Sequence, residues 1–322
     1  MRIDKTYEAD RNLDVQELIR VTMQSSSSNT RNVATKKKIL KTLFLAREHM
    51  SDKNPVKHGL AFYWYKDGPY SEIIENNLKM LVDDRKVSRS KTDKWETYKL
   101  APEHASRVIV TYNNFMDEAA GEVRHVVGEF ANVDDIVRCV YETAAPTPWY
   151  VSYRLEFMPK FEVYCRDIRE GRESRHAPKQ ILEFLDNAVL DFPTAHEFLG
   201  IRMIFMDFAK ILNAFLRWDA HCTRSDLSDE LSIMCNDIWE TFAYGMRVHH
   251  HDPHYERYMA SWKSRYEQEL HKLDRATLKR VKKFDSIVVD DMCLAPDVED
   301  MVLHPERHTF KPLEVDTVAD TR

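Results

Sequence analysis

Residues 62–87 constrain the fold more than any other part of this chain. The aromatic run from Leu60 to Tyr65 has residue types that favour a short strand, and Gly68-Pro69 is expected to break it. Ser71 then predicts a helix N-cap, because a serine hydroxyl can accept an unpaired backbone N–H. The buried stripe of that helix is predicted to hold Ile73, Ile74, Leu78, Leu81 and Val82. A strand, a turn and a capped amphipathic helix therefore follow one another without a gap.

A β-hairpin is predicted directly after this helix. Its strands are Lys86 to Arg89 and Trp95 to Leu100, around a polar loop at Ser90 to Lys94. Upstream, Leu13 to Met23 and Thr35 to Met50 carry apolar residues at helical spacing. Helices that lead into a small hairpin in this order are typical of a winged helix-turn-helix, in which the hairpin is the wing.

The chain is long enough for two domains, because it has 322 residues of which 43% are hydrophobic. With only 7 glycines and no Gly-rich phosphate loop, a dinucleotide fold is not expected, and no cofactor is predicted. The 5 cysteines are scattered without a C-x-x-C pair, which favours a reducing compartment. The most hydrophobic segment, Phe198 to Trp218, is interrupted by charges, so we expect a cytoplasmic protein without a membrane partner.

The second half of the chain is predicted to be all-helical, which makes the whole protein mainly α. We expect a winged-helix domain with a closing helix at 1–145, a helical domain at 146–295 and an irregular tail at 296–322. A capping box at Thr194 to Glu197 predicts the start of a central buried helix. Further helices are predicted at Ser228 to Gly245 and from Pro253 to about Lys283.

The front half also resembles a known family. The elements follow in this order: a Lys-rich helix that ends in Leu43 to Ala46, an aromatic strand, Gly68-Pro69-Tyr70-Ser71, an amphipathic helix and the strand Tyr98 to Leu100. This order is similar to that of SocA/Panacea-type antitoxin domains and the related YwgA-type proteins of prokaryotes. The stretch from Gly128 to Tyr141 resembles their closing helix. The resemblance covers about the first 145 residues and implies a winged-helix fold in transcription control, antitoxin action or adaptor binding. It implies no shared catalytic site, and the long C-terminal extension departs from the compact members.

Charge favours a nucleic-acid partner for the front half. Residues 1–110 carry 21 Lys and Arg against 15 Asp and Glu, whereas the whole chain has a net charge of −6. Double-stranded DNA is therefore the expected partner of a regulatory protein, with the helical domain as a homodimer interface. The residues expected to contact phosphate are Arg31, Lys36, Lys37, Lys38, Lys41, Lys86, Arg89, Lys91 and Lys94. The helix after Ser71 itself has four acids and one base, which is a poor surface for a polyanion.

Two alternatives stay open. In the first, the front half is an adaptor or antitoxin that binds a protein instead of DNA, through the aromatic strand and Glu72, Glu75 and Asn76. In the second, the back half is a nuclease centred on Arg247 to His254. Either His249, His251 and His254 bind a metal there, or Arg247 and His254 form a motif that loosely resembles the HEPN ribonucleases. Asp252-Pro253 is also a well-formed helix start, which would make the histidines a connecting loop.

Overall fold

The computed structural model describes residues 5–26, 33–92, 96–105, 114–217 and 224–290. The α-helices are α1 Lys5–Ser25, α2 Lys36–His49, α3 Pro55–Gly59, α4 Glu72–Asp83, α5 Pro102–Ala105, α6 Asn114–Glu129, α7 Val133–Ala144, α8 Met158–Arg169, α9 Pro178–Leu190, α10 Leu199–Arg217, α11 Arg224–His249 and α12 Met259–Asp290. A π-helix spans Tyr150–Phe157, and 3₁₀ segments span His196–Phe198 and Pro253–Tyr258. The strands are β1 Val33–Thr35, β2 Tyr63–Tyr65, β3 Gly68–Tyr70, β4 Val87–Lys91 and β5 Glu96–Leu100. The prediction of a mainly α protein is confirmed.

The predicted hairpin is present and belongs to a three-stranded sheet. Strands β4 and β5 pair antiparallel, with Val87 opposite Leu100, and β1 pairs with the other edge of β5. Tyr98 and Leu100 are buried whereas Lys99 is exposed, as strand alternation requires. The sequence did not predict β1, because a strand of three residues carries too little pattern to be recognised.

Gly68-Pro69 does not end the aromatic strand in the way predicted. The chain turns at Lys66-Asp67 instead, and Gly68, Pro69 and Tyr70 form β3, which pairs antiparallel with β2. Gly68 has φ +82°, a conformation that glycine adopts without strain. Two aromatic strands joined by a two-residue turn thus lie directly before α4.

The starts of α2 and α4 lie where the sequence predicts them, whereas the start of α10 does not. Ser71 caps α4, because its hydroxyl accepts the N–H of Ile74 at 3.4 Å. Thr35 caps α2 and accepts the N–H of Lys38 at 3.1 Å. The capping box predicted at Thr194 is wrong, since the N-cap residue there is Ala195, which has no side-chain oxygen. The 3₁₀ segment His196–Phe198 leads into α10, and no side chain caps its start.

One hydrophobic core runs through both halves of the chain. Its members extend from Val15 in α1 to Leu273 in α12. Tyr150, fully buried just beyond the predicted boundary, packs its ring 4.9 Å from that of Trp64 and donates a hydrogen bond to the carbonyl of Tyr65 at 3.2 Å. The division at residue 145 stays a prediction, but the described residues on its two sides share one core.

Candidate functional site

A pocket with an acidic and aromatic lining lies where the β2–β3 hairpin meets the start of α4. Its volume is about 400 Å³. The residues that line it are Tyr63, Tyr65, Tyr70, Glu72, Glu75 and Asn76. Strand alternation brings Tyr63 and Tyr65 to one side of β2, and the capped first turn of α4 places both carboxylates beside them. We call this site the acidic tyrosine pocket.

The two carboxylates of the acidic tyrosine pocket differ in their partners. Glu75 forms an ion pair with Lys36 and accepts a hydrogen bond from the hydroxyl of Tyr70. Glu72 accepts a hydrogen bond from the neutral hydroxyl of Tyr63 at 3.4 Å. Since a neutral hydroxyl does not cancel a negative charge, Glu72 is the carboxylate better suited to receive a cation from outside.

An aromatic cluster with a cation at its centre lies behind the pocket. The guanidinium of Arg247 packs over the rings of Trp262, Tyr65 and Tyr244 at 4.6, 5.0 and 5.4 Å. Tyr63 contacts this cluster, with its ring centre 4.8 Å from that of Trp262. Burial raises the pKa of both Tyr63 and Tyr65 well above that of a free tyrosine, so they stay neutral hydrogen-bonding groups.

The lysines of α2 do not form the exposed basic face that was predicted. Lys41 is 2% exposed and donates a hydrogen bond to the carbonyl of Pro69 at 2.9 Å, and Lys38 is 8% exposed. Lys36 pairs with Glu75, as described above. Lys37 lies 3.6 Å from the carboxylate of Asp67. The reason is that α2 is central to the fold, where every residue from Lys38 to Ala46 is buried.

The β4–β5 hairpin retains exposed basic side chains. Arg89, Lys91 and Lys99 are exposed, although Arg89 also pairs with Glu96. Lys86 is half-buried and lies 2.9 Å from Asp84. The predicted phosphate contacts Arg31 and Lys94 lie outside the described residues.

The histidine segment is bound to β2 in the manner of an additional strand. The N–H of Trp64 donates to the carbonyl of His250, and the N–H of Asp252 donates to the carbonyl of Phe62, both at 2.9 Å. Asp252 is the N-cap of the 3₁₀ segment that Pro253 opens, as predicted. This backbone pairing gives residues 249–252 a structural role that needs no metal.

The structure does not support the predicted metal site. Nowhere in the described part of the chain do three or more His, Cys, Asp or Glu side chains come together in a way that would hold a metal ion. The three histidines have different neighbours: His249 packs on Phe198, His251 lies 3.2 Å from Glu256, and His254 packs on Tyr255. They diverge because they belong to different elements: His249 ends α11, His251 forms a β-bridge with Tyr63, and His254 lies in the 3₁₀ segment.

Arg247 packs among aromatic side chains. Its guanidinium faces three aromatic rings, as described above, and the side chain is half-buried. Its Nε is buried and has no hydrogen-bond partner among the described residues. The aromatic cluster gives Arg247 a packing role, and its role in a nuclease stays a prediction.

The sequence pointed to Glu72, Glu75, Asn76 and the aromatic strand as one binding surface, but did not predict which aromatic residues face the pocket or that Tyr70 joins them. Alternation along β2 offers a signal, because Trp64 must face opposite to Tyr63 and Tyr65. In the structure Trp64 belongs to the main core, and Tyr63 belongs to a second cluster with Tyr255 and Trp262. What the sequence could not supply is β3, which brings Tyr70 to the same site.

In comparisons with known proteins, no family model, curated protein or solved structure matches the chain. The resemblance to SocA/Panacea-type domains therefore stays a prediction. Within the described residues, the helices are too short or too polar to cross a membrane.

Proposed function

We propose that this chain is a regulatory recognition protein of the adaptor or antitoxin type, whose N-terminal part is a winged-helix module that binds another protein. The observation that carries the proposal is the acidic tyrosine pocket. Lys36 and Arg247 already lie over the rings of Tyr70 and Tyr65. The carboxylate of Glu72 adds an acceptor for a charge-assisted hydrogen bond, so this lining suits the side chain of an arginine or lysine. The partner is therefore a protein that presents a basic residue to the pocket.

The charges on α4 and α2 favour a protein over DNA. The helix that would enter the major groove of a winged-helix complex carries Glu72 and Glu75 in its first turn and Asp83 in its last. The lysines of α2 are buried or paired, as described above. A DNA backbone would meet the carboxylate of Glu72, which no cation pairs among the described residues, whereas a basic protein side chain would neutralise it.

Selection from a displayed peptide library tests the proposal. Peptides that bind the intact chain are expected to be enriched in Arg or Lys at one position. Binding should weaken by about tenfold to a hundredfold in Glu72→Gln, because a charged hydrogen bond contributes about 1.5–3 kcal/mol. Glu103→Gln, an exposed glutamate of α5, is the matched control and should bind normally. Selected peptides without a basic residue, or full binding by Glu72→Gln, would refute the proposal.

The exposed basic hairpin supports DNA binding as a second candidate function. Arg89, Lys91 and Lys99 extend from β4 and β5 in the position of a wing and could contact phosphate without help from α2. Fluorescence anisotropy with a labelled duplex at low and high salt measures this. The double variant Arg89→Glu, Lys91→Glu is expected to lose binding, with Lys263→Glu at an exposed site on α12 as the control. Absence of binding at low salt would exclude this candidate.

A further inference from the structure

We propose that the open edge of strand β4 binds an acidic segment of the chain's own tail, residues 313–320, as an additional strand. The strand order in the sheet is β1-β5-β4, so β4 has a partner strand on one side only. Residues 313–320 lie outside the described part of the chain. We call them the acidic segment.

The backbone of Arg89 and Lys91 points away from β5. The N–H of Ala101 donates to the carbonyl of Lys86, so the hydrogen-bonded pairs of this antiparallel ladder continue through the even-numbered residues of β4. The odd-numbered residues direct their N–H and C=O groups to the opposite side, where β4 has no neighbouring strand. Among the described residues, these outward groups of Arg89 and Lys91 have no backbone partner.

The edge of β4 is also uncovered by side chains. Every residue from Ser88 to Lys91 is exposed. Since successive side chains of a strand face opposite sides, neither face of β4 packs against another described element over these four residues. A strand with an exposed row of unpaired N–H and C=O groups is a template on which an extended segment can add by main-chain hydrogen bonds.

Charge determines which strand fits this edge. The described strands of the hairpin carry Arg89, Lys91 and Lys99 as exposed cations, and Glu96 is their only carboxylate. Arg89 and Lys91 are two positions apart and therefore share one face of β4. Like charges opposite each other destabilise a strand pair, which disfavours pairing of β4 with β4 of a second copy. An acidic strand would be stabilised at the same positions.

The acidic segment has the complementary pattern. Its sequence is Leu-Glu-Val-Asp-Thr-Val-Ala-Asp, which contains no basic residue. Glu314 and Asp316 are two positions apart, so in an extended conformation they share a face with the same spacing as Arg89 and Lys91. Directly opposite residues of paired strands have Cβ atoms about 4.5–5.5 Å apart, close enough for both ion pairs. The two valines and the threonine favour a strand.

The connection between α12 and the acidic segment is long enough. Helix α12 ends at Asp290, and residues 291–312 follow before the segment begins. A connection of this length spans up to about 70–80 Å when extended, whereas a compact chain of this size has a radius of gyration of about 20 Å. A tethered segment also has an effective concentration on the order of 1 mM, so a weak strand pairing is sufficient to fill the edge.

Hydrogen–deuterium exchange of the full chain tests the proposal. The backbone N–H groups of Arg89 and Lys91 are expected to exchange at least about tenfold more slowly in the native chain than in Glu314→Lys, Asp316→Lys, because a docked strand accepts hydrogen bonds from them. The matched control is Asp297→Lys, Glu299→Lys, which makes the same charge change at the same spacing outside the acidic segment. It should keep the native exchange rate.

A charge swap makes the test specific. Arg89→Glu, Lys91→Glu should remove the protection of the N–H groups at positions 89 and 91. Combination of this variant with Glu314→Lys, Asp316→Lys should restore it, because the swap forms the opposite-charge pairs again.

Four results would overturn the proposal: fast exchange at positions 89 and 91 in the native chain, protection that Glu314→Lys, Asp316→Lys leaves intact, equal loss in the Asp297→Lys, Glu299→Lys control, or a charge swap that restores nothing. Protection that increases with protein concentration would also contradict it, since the edge would then bind the tail of a second copy. None of these variants changes the acidic tyrosine pocket, so the results do not bear on its partner.

Discussion

Arg47 and Asp252 are 205 positions apart in the chain and form a hydrogen-bonded ion pair at 2.8 Å. The other carboxylate oxygen of Asp252 accepts the N–H of Phe62 at 2.6 Å. One aspartate thus joins α2, the start of β2 and the segment that leads into α12. Asp252 is the N-cap residue that the sequence predicts. Its side chain binds Arg47 and the N–H of Phe62 instead of capping the helix.

We expect Asp252→Ala to lower the free energy of unfolding by about 2–3 kcal/mol, because Arg47 and the N–H of Phe62 both lose a charged acceptor. Both partners are at least half-buried, so water replaces the carboxylate incompletely. Urea denaturation measures the change. Asp274→Ala, at an exposed site on α12, should cost less than about 0.5 kcal/mol. Equal losses in the two variants would show that Asp252 does not join these elements.

Gly68 is expected to tolerate no side chain, for reasons of both backbone and space. A Cβ there would lie 2.6 Å from a ring carbon of Tyr141 and 3.2 Å from Nζ of Lys41, and the backbone has φ +82°. We expect Gly68→Ala to cost more than about 2 kcal/mol by urea denaturation.

Two other glycines separate these causes. Gly171 has φ +65° with open space around it, so Gly171→Ala should cost about 1 kcal/mol from backbone strain alone. Gly121 lies within α6, again with open space, and Gly121→Ala should stabilise by up to about 1 kcal/mol. A cost for Gly68→Ala no larger than that for Gly171→Ala would mean that Tyr141 and Lys41 move aside.

Local signals in the sequence were sufficient for most helices and for the hairpin. Ser71 and Thr35 cap the helices that they were predicted to cap or begin, and Val87–Lys91 and Glu96–Leu100 form antiparallel strands. These features depend on neighbours within a few residues, which a single sequence contains. Pairing of β2 with residues 250–252 depends on contacts almost 190 positions apart, and no local pattern encodes it.

The burial of Lys38 and Lys41 could not be predicted from the spacing of charged residues. Lysine at helical spacing is typical of an exposed helix face, but Lys38 lies three positions before the buried Lys41, which lies four before the buried Leu45, on one side of α2. A helix that is buried all round must accommodate some polar residues, and it satisfies Lys41 through the carbonyl of Pro69. Helical spacing alone could not distinguish this arrangement from a solvated face.

Burial lowers the pKa of Lys41 from the ordinary 10.5 to about 7, and nearby Asp67 acts weakly in the opposite direction. Between these two pH values the unfolded chain binds one more proton than the folded chain, so the free energy of unfolding rises with pH in this window. Below pH 7 the full penalty for the buried charge is present, and above pH 10.5 it is absent.

Comparison with Lys41→Met isolates this contribution. We expect the free energy of unfolding of the native chain, minus that of Lys41→Met, to increase by about 2–4 kcal/mol between pH 7 and pH 10. Urea denaturation across this range is the measurement, and Lys79→Met on the exposed side of α4 is the control. If the difference in free energy of unfolding between the native chain and Lys41→Met stays constant from pH 7 to pH 10, Lys41 does not titrate in this range.

Arg247 is predicted to act in stability and not in catalysis. Its guanidinium packs on Trp262, Tyr65 and Tyr244, and cation–π contacts in partly desolvated sites contribute about 1–2 kcal/mol together with the apolar area of the side chain. Arg247→Ala should therefore lower the free energy of unfolding by about 2 kcal/mol or more. Arg265→Ala is the matched control, since Arg265 lies 5.7 Å from the same Tyr244 ring but is half-exposed and pairs with Glu269, and it should cost less than about 1 kcal/mol.

Incubation of both variants and the native chain with a labelled single-stranded RNA tests the alternative role. RNA cleavage by the native chain that disappears in Arg247→Ala under conditions where this variant is folded would contradict the prediction, because a packing residue affects the population of folded molecules and not the chemistry that each performs.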